Sequence, residues 1–305
     1  MLEIFHKNKK DKELKELENF KVGSWVNVED PSEEELDFVC DEIGLEKSLL
    51  KDSLDQSEVP RMEIEDNVTY IFTRVPSPEK DVITVPILIA VSDSYLITLS
   101  SKKLTLLDEF KKERKNFYTT QKTKFLIQIF SAINNDYNKK LTNINRSVRG
   151  TKIRLEKIKN EDIIQLVNFE EVINDYLSAL IPTNAILQKL LTGGYLKLYE
   201  EDKDLVEDLF LANGQLVETS KSTLKNIVNI RGAYSSIMTH DLNRVIKLLT
   251  ALTIILTVPT IIASLYGMNV SLPYQDSPMA FLGIILSTAI ISFFLYLVFK
   301  KNKWF

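Results

Sequence analysis

Near the C-terminus five hydroxyl side chains, Thr250, Thr253, Thr257, Thr260 and Ser264, follow one another at intervals of three or four residues. At about 100° per residue they share one face of a helix. Extended backwards, that face takes in Asn243, Ile246 and Leu249; extended forwards it reaches Gly267 and Met268, with Asn269 next in the chain. Two kinds of chemistry suit such a face. The hydroxyls can satisfy themselves on their own backbone, soften the helix around Pro259, or bond a neighbouring helix. Alternatively the face lines water, and then one chain is not enough. Several copies related by cyclic symmetry must surround the water, each contributing the same helix. Ile246 and Leu249 would form an apolar constriction, of the kind that gates by dewetting.

Other chemistry is scarce. Two histidines, His6 and His240, supply catalytic or His-rich metal arrangements poorly, and the single cysteine, Cys40, can form neither an intramolecular disulfide nor a Cys-based zinc site. There is no G-x-x-x-x-G-K-[ST] loop, no G-x-G-x-x-G after a strand, no H-E-x-x-H and no G-x-S-x-G. An enzyme, a nucleotide partner and ATP-driven transport are therefore not expected. A net charge of −4 argues against a nucleic-acid partner, whose footprint would be a strongly basic face. The acidic run from Glu29 to Asp66 reads first as a solvated helix face, with a divalent-ion surface as the alternative. Ion movement through this chain would be passive. For a divalent cation the electrical driving force is about 4.6 kcal/mol per 100 mV.

The elements that must carry the hydroxyl face are two uncharged runs, Leu248 to Met268 and Met279 to Phe299. Each matches the roughly 20 residues a helix needs to cross hydrocarbon. Joined by a short link, they form a helical hairpin. Arg244 and Lys247 precede the first run, Lys300, Lys301 and Lys303 follow the second, and the link has no Lys or Arg. The positive-inside rule then puts both chain ends in the cytoplasm and the link outside. Tyr266, Tyr274, Tyr296, Trp304 and Phe305 stand where interfacial aromatics anchor a hairpin. Gly283 with Ser287 and Thr288 with Ser292 would let the second span, an outer ring facing lipid, pack closely.

Upstream, the charged start "MLEIFHKNKKDKELKE" is neither a signal peptide nor a transit peptide, so the N-terminal region is expected to stay in the cytoplasm. "SWVNVED", "MEIEDNVTYIFTRV" and "ITVPILIAVSDSYLITLS" show strand patterning, with Ser92-Asp93 as a turn and Asp30 or Ser32 as a helix N-cap. From Phe125 to Ile158 apolar residues recur at coiled-coil-like spacing; helical pattern continues to Leu191, broken by Pro182 and ended by Gly193-Gly194. A further helical pattern from Asp202 to Asn269 would be about 100 Å long if unbroken. The expected architecture is an α/β cytoplasmic domain plus long stalk helices and a C-terminal two-helix transmembrane hairpin. The expected boundaries are 1–110 for the α/β domain, 111–201 for the long cytoplasmic helices, 202–269 for the stalk helix continuing into the first span, 270–278 for the external link, and 279–305 for the second span and basic tail.

Tyr266-Gly267-Met268-Asn269 at the outer end of the penultimate span, followed by a short link, a final span and "FKKNKWF", resembles the CorA family of magnesium channels. "VPTIIASLYGMN", "VPRMEIEDNVTYIFTRV" and "YLITLS" extend the resemblance over essentially the whole chain. The resemblance implies a funnel-shaped homopentamer in the cell membrane that takes up divalent cations, Mg²⁺ first, with Co²⁺ and Ni²⁺ as further cargo. It implies a pore entrance of Gly267, Met268, Asn269 and Asp276, in which Asn269 forms a ring holding hydrated Mg²⁺ through its waters. Gly267 would permit a tight helix end and Met268 would pack it. Asn243, Ile246, Leu249, Thr257 and Thr260 fall at the family's pore-lining positions, on the face already traced through Thr253 and Ser264. Closure by cytosolic Mg²⁺ bridging neighbouring subunits would use Asp208, with Glu79 and Asp81 as candidate partners. One departure is the link "VSLPYQDSP", which holds a single acid, Asp276, where many relatives have a more acidic link. Retention of Met268 favours Mg²⁺ over Zn²⁺. The alternatives left open are a Zn²⁺ or other transition-metal transporter, and a membrane-anchored coiled-coil scaffold or sensor with no pore.

Overall fold

A computed structural model describes residues 1–77, 83–153, 158–196, 198–273 and 277–304. The chain divides into two compact units, Met1–Asn229 and Ile230–Phe305.

The first unit is built on a seven-stranded sheet with the order β2-β1-β3-β7-β6-β5-β4. Its strands are β1 (Leu2–His6), β2 (Lys15–Leu17), β3 (Ser24–Glu29), β4 (Arg61–Glu65), β5 (Val68–Pro76), β6 (Thr84–Val91) and β7 (Tyr95–Ser100). All neighbouring pairs run antiparallel except β3 and β7, which pair in parallel from Ser24 opposite Tyr95 to Glu29 opposite Ser100. The central strands read as near-continuous apolar runs because both of their faces are covered. Val26 and Val28 on one face pack with Leu36 and Val39 of α1 (Glu33–Ile43) and Leu50 of α2 (Lys47–Asp52). Trp25 points the other way, as alternation along a strand requires. It meets Phe125 of α4 (Lys122–Ile153), ring centroids 5.1 Å apart, and donates from Nε1 to Thr98 Oγ1 at 2.9 Å. Phe110 of α3 (Thr105–Lys111) and Phe117 complete this aromatic layer. Both α4 and α5 (Asn160–Thr192) pack against β5.

Local chemistry sets the boundaries. Ser32, not Asp30, caps α1 in a capping box: Ser32 Oγ accepts from the Glu35 amide at 3.2 Å and Glu35 Oε2 accepts from the Ser32 amide at 3.0 Å. Asp30 instead adopts a left-handed φ of 48° and donates its amide to Ser100. The run from Met62 to Val75 is a hairpin, turned by Asp66 and Asn67 with φ of 48° and 61°. That is the backbone of a type I′ turn, which Asp and Asn tolerate.

The charged N-terminus, to which the sequence reading assigned no element, forms two strands: Ile4 pairs with Val26 and Phe5 with Trp25, while Lys15 and Glu16 charge the exposed edge and discourage further pairing. Two expectations are corrected. The long helix expected to reach Ile158 is described as α4 to Ile153, Ile158 and Lys159 lie outside any helix, and α5 starts at Asn160 with Asp162 accepting from the Lys159 amide at 2.9 Å. Pro182 does not break α5. The carbonyl it leaves without an intrahelical donor is that of Ser178, an exposed residue, where water can replace the lost bond.

The chain passes to the second unit within α6 (Glu200–Tyr266), a helix of 67 residues with Pro259 inside it. The second unit holds the C-terminal part of α6 and then α7 (Ala280–Lys301).

Candidate ion pathway

Both α6 and α7 carry an apolar window long enough to cross a membrane, and only 6% of the first and 0% of the second is buried within the chain. A core helix of a soluble protein would be covered. Leu248, Leu252, Phe281, Leu282 and Phe294 instead present their side chains outward. Apolar surface of this extent needs lipid or other helices around it.

The hydroxyl face is exposed along its length, from Asn243 through Ile246 and Leu249, both about half exposed, to Ser264. Its threonines have a defined orientation. Thr253 Oγ1 donates to Leu249 O at 2.8 Å, Thr257 Oγ1 to Thr253 O at 2.7 Å, and Thr260 Oγ1 to Leu256 O at 2.9 Å. These three hydroxyl protons are thus spent on the preceding turn, as one of the two sequence readings required. The oxygen keeps lone pairs on its exposed side, so these threonines present acceptors outward. Such a face is suited to donors, and the water shell of a cation is made of donors.

At the C-terminal end of α6 the Gly267 amide is shared between Ala263 O at 3.0 Å and Ser264 O at 3.2 Å, and Met268 N donates to Leu265 O at 3.3 Å. The helix closes on these tightened bonds. The φ of Gly267 is not left-handed, and an added Cβ would lie 3.4 Å from Ala263 O and 3.6 Å from Ser264 O, a contact a side chain can make. Among the described residues nothing demands glycine there. Met268 is half exposed and Asn269 exposed, its amide making no hydrogen bond among the described residues. Asp276 lies outside the described residues, as do Glu79 and Asp81. Asp208 is exposed on α6 beside Asp204 and Glu207. No three His, Cys, Asp or Glu side chains converge on a metal position among the described residues. The donor chemistry at Asp208 fits a hard cation, but it supplies one carboxylate.

Several polar side chains that sequence reasoning passed over hold the first unit in register. Asn213 on α6 donates from Nδ2 to Leu180 O at 2.8 Å and to Asn184 Oδ1 at 3.1 Å, and Asn134 on α4 donates to Leu209 O at 3.4 Å. At the end of β5, Tyr137 Oη donates to Arg74 O at 3.0 Å and Lys140 Nζ to Ser77 O at 2.6 Å. Burial pushes the Lys140 ammonium below the usual lysine range, partly offset by Asp136. An isolated Asn or Lys in a helical pattern reads as solvent-facing, and only the heptad-like spacing of its neighbours hints otherwise.

An α/β unit followed by a helix that ends in an apolar span, a short link and a second span defines a two-span membrane protein. The chain belongs to the CorA family: the family model described as CorA-like Mg2+ transporter protein matches residues 20–301. This is a transporter family and not an enzyme family. Among curated relatives, the cobalt/magnesium transport protein CorA of Methanocaldococcus jannaschii is 26% identical over 293 residues, covering 92% of this chain and 90% of the relative. The magnesium transport protein CorA of Campylobacter jejuni is 26% identical with the same coverage of each chain. The complete structure of the M. jannaschii CorA magnesium transporter matches 100% of this chain and 99% of its own, with a TM-score of 0.88 at 22% identity. Full-length CmaX matches 99% of this chain and 97% of its own with a TM-score of 0.79 at 17% identity.

Proposed function

We propose that this chain forms a passive pathway for divalent cations, Mg²⁺ foremost and Co²⁺ and Ni²⁺ in addition, as a homopentamer in the cell membrane with both termini in the cytoplasm. The observation that carries the reading is the exposed hydroxyl face of α6, whose back-bonded threonines offer acceptors only and lead to Asn269 at the outer end. The transport names of the relatives support it. Mg²⁺ dehydrates reluctantly, so a lumen of neutral acceptors that bonds the coordinated waters passes the hydrated ion without stripping it. Asn269 supplies the carbonyl ring at the entrance, with Gly267, Met268 and Asp276 around it. Asn243, Ile246 and Leu249 narrow the cytoplasmic end. The chain performs no catalysis; the membrane potential and the concentration gradient move the ion. Cytosolic Mg²⁺ closes the pathway by bridging Asp208 to Glu79 or Asp81 of a neighbouring copy, the part of the reading that supplies the ligands one chain lacks.

The test is Mg²⁺ uptake by proteoliposomes holding purified protein. Asn269→Ala should reduce uptake roughly tenfold or more, as expected for loss of hydrogen bonds to a charged cluster. Unchanged uptake would exclude the assigned role of Asn269. A competition series with Co²⁺, Ni²⁺ and Zn²⁺ on the same vesicles ranks the cargo.

A further inference from the structure

The last turn of α7 is closed in an unusual way. Trp304 N donates to Phe299 O at 3.0 Å and Lys303 N donates to Lys300 O at 3.2 Å, while Asn302 donates both its amide and its Nδ2 to Val298 O. This is the bond pattern of a Schellman motif, with its accompanying apolar contact between the Trp304 and Phe299 rings, centroids 5.0 Å apart. The left-handed position, usually glycine, is Lys303 with φ 57°. A lysine there carries backbone strain that a glycine would relieve. The turn keeps a charge at the cost of local stability.

That charge belongs to a cluster. From Lys247 to Tyr266 and from Ala280 to Lys300 the helices rise about 28 Å and about 30 Å, close to the thickness of hydrocarbon. In a two-span hairpin Arg244 and Lys247 on α6 would therefore stand at the same membrane level as Lys300, Lys301 and Lys303. None of the five forms an ion pair among the described residues. After Asp241 the only Asp or Glu in the sequence is Asp276. Lys300 Nζ lies 5.8 Å from the centre of the Tyr296 ring, and the half-buried Trp304 is folded back at the same height. The group combines five cations that form no ion pair among the described residues with a tryptophan held by a built turn, the composition of a site at the boundary between headgroups and acyl chains.

We propose that the C-terminal turn of α7, together with Arg244 and Lys247, is a binding site for anionic phospholipid headgroups. The phosphate and its second negative group are recognised by the lysine and arginine side chains, and Trp304 lies against the glycerol and upper acyl region. The inference rests on the two-span reading and not on ion conduction.

The experiment uses the full chain in nanodiscs and follows tryptophan fluorescence with brominated lipids, which quench only on contact. Trp25 is fully buried in the sheet unit and supplies a constant background. At equal mole fraction, brominated phosphatidylglycerol should quench Trp304 about fivefold more effectively than brominated phosphatidylcholine. Changing Arg244, Lys247, Lys300 and Lys301 together to Gln should bring the two lipids level while phosphatidylcholine still quenches. Lys303→Gly should retain the quenching of Trp304 and lose part of the preference. Equal quenching by the two lipids in the unaltered protein would overturn the lipid site. Quenching by neither would overturn the membrane placement of this turn as well. Loss of the preference on adding millimolar inorganic phosphate would show that the cluster recognises free anions, and would overturn the assignment to lipid.

Discussion

Thr257 shows how one residue can satisfy two readings at once. Its proton bonds Thr253 O at 2.7 Å, which is what a helix in lipid needs, and its remaining lone pairs face outward, which is what a hydrated cation needs. Valine has nearly the same shape and no acceptor, so Thr257→Val separates the two roles. Mg²⁺ flux in proteoliposomes should fall about three- to tenfold, the range set by the net worth of one hydrogen bond, while the melting temperature stays close to that of the parent. Thr257→Ser should retain most of the flux. Equal flux in the valine variant would show that these hydroxyls serve only their own helix. The stripe itself was legible from spacing alone, because helix geometry converts three- and four-residue steps into a face. The direction of each proton was not legible, since sequence does not choose between a backbone acceptor and water.

Elements were read best where the signal is local. The start of α1, left between Asp30 and Ser32, the strand run ending at Ser100 and the two apolar spans all depend on residues within one turn or one strand. What escaped depends on partners far along the chain: β1 is a strand because it meets β3, and Asn213 is buried because Leu180 and Asn184 accept its amide. The local signal also carries the stability consequence. Ser32→Ala removes one side of the capping box and should lower the stability of the sheet unit by about 1 kcal/mol in urea unfolding. Glu35 gives this corner a pH dependence. Burial works to raise its carboxyl, but the Met1 ammonium at 2.9 Å and the Ser32 amide outweigh it, and the net shift is downward from the ordinary value of 4.5. A carboxyl depressed in the folded state contributes stability above its unfolded value and loses it as pH falls through the folded one. Melting followed from pH 6 down to pH 3 should therefore be less steep in Glu35→Gln, which has no charge to lose; identical slopes would remove Glu35 from the account.

At the scale of the whole molecule, what a single chain leaves incomplete defines what several copies must supply. Among the described residues the hydroxyl face of α6 is exposed, Gly267 meets no contact that demands glycine, and no three metal-binding side chains meet. On the proposed reading a ring of copies would answer all three: it would enclose the stripe, bring a neighbour close to the glycine, and offer Asp208 carboxylates from another copy. The mass of the purified assembly in lipid should correspond to five chains. In such a ring feedback would follow from symmetry, because a Mg²⁺ held by Asp208 and a neighbour's carboxylate would stabilise only the arrangement in which the two approach, and by linkage its occupancy would bias the whole ring toward that state. Proteoliposomes with millimolar Mg²⁺ on the cytoplasmic face should show reduced uptake relative to Mg²⁺-free vesicles. Asp208→Ala should shift closure to about tenfold higher Mg²⁺, the effect of losing a coupling of ordinary size, with the maximal flux in Mg²⁺-free vesicles unaltered. If closure in Asp208→Ala occurs at the parental Mg²⁺ concentration, the carboxylates that sense the ion lie elsewhere on the chain and Asp208 is a solvated residue of the helix.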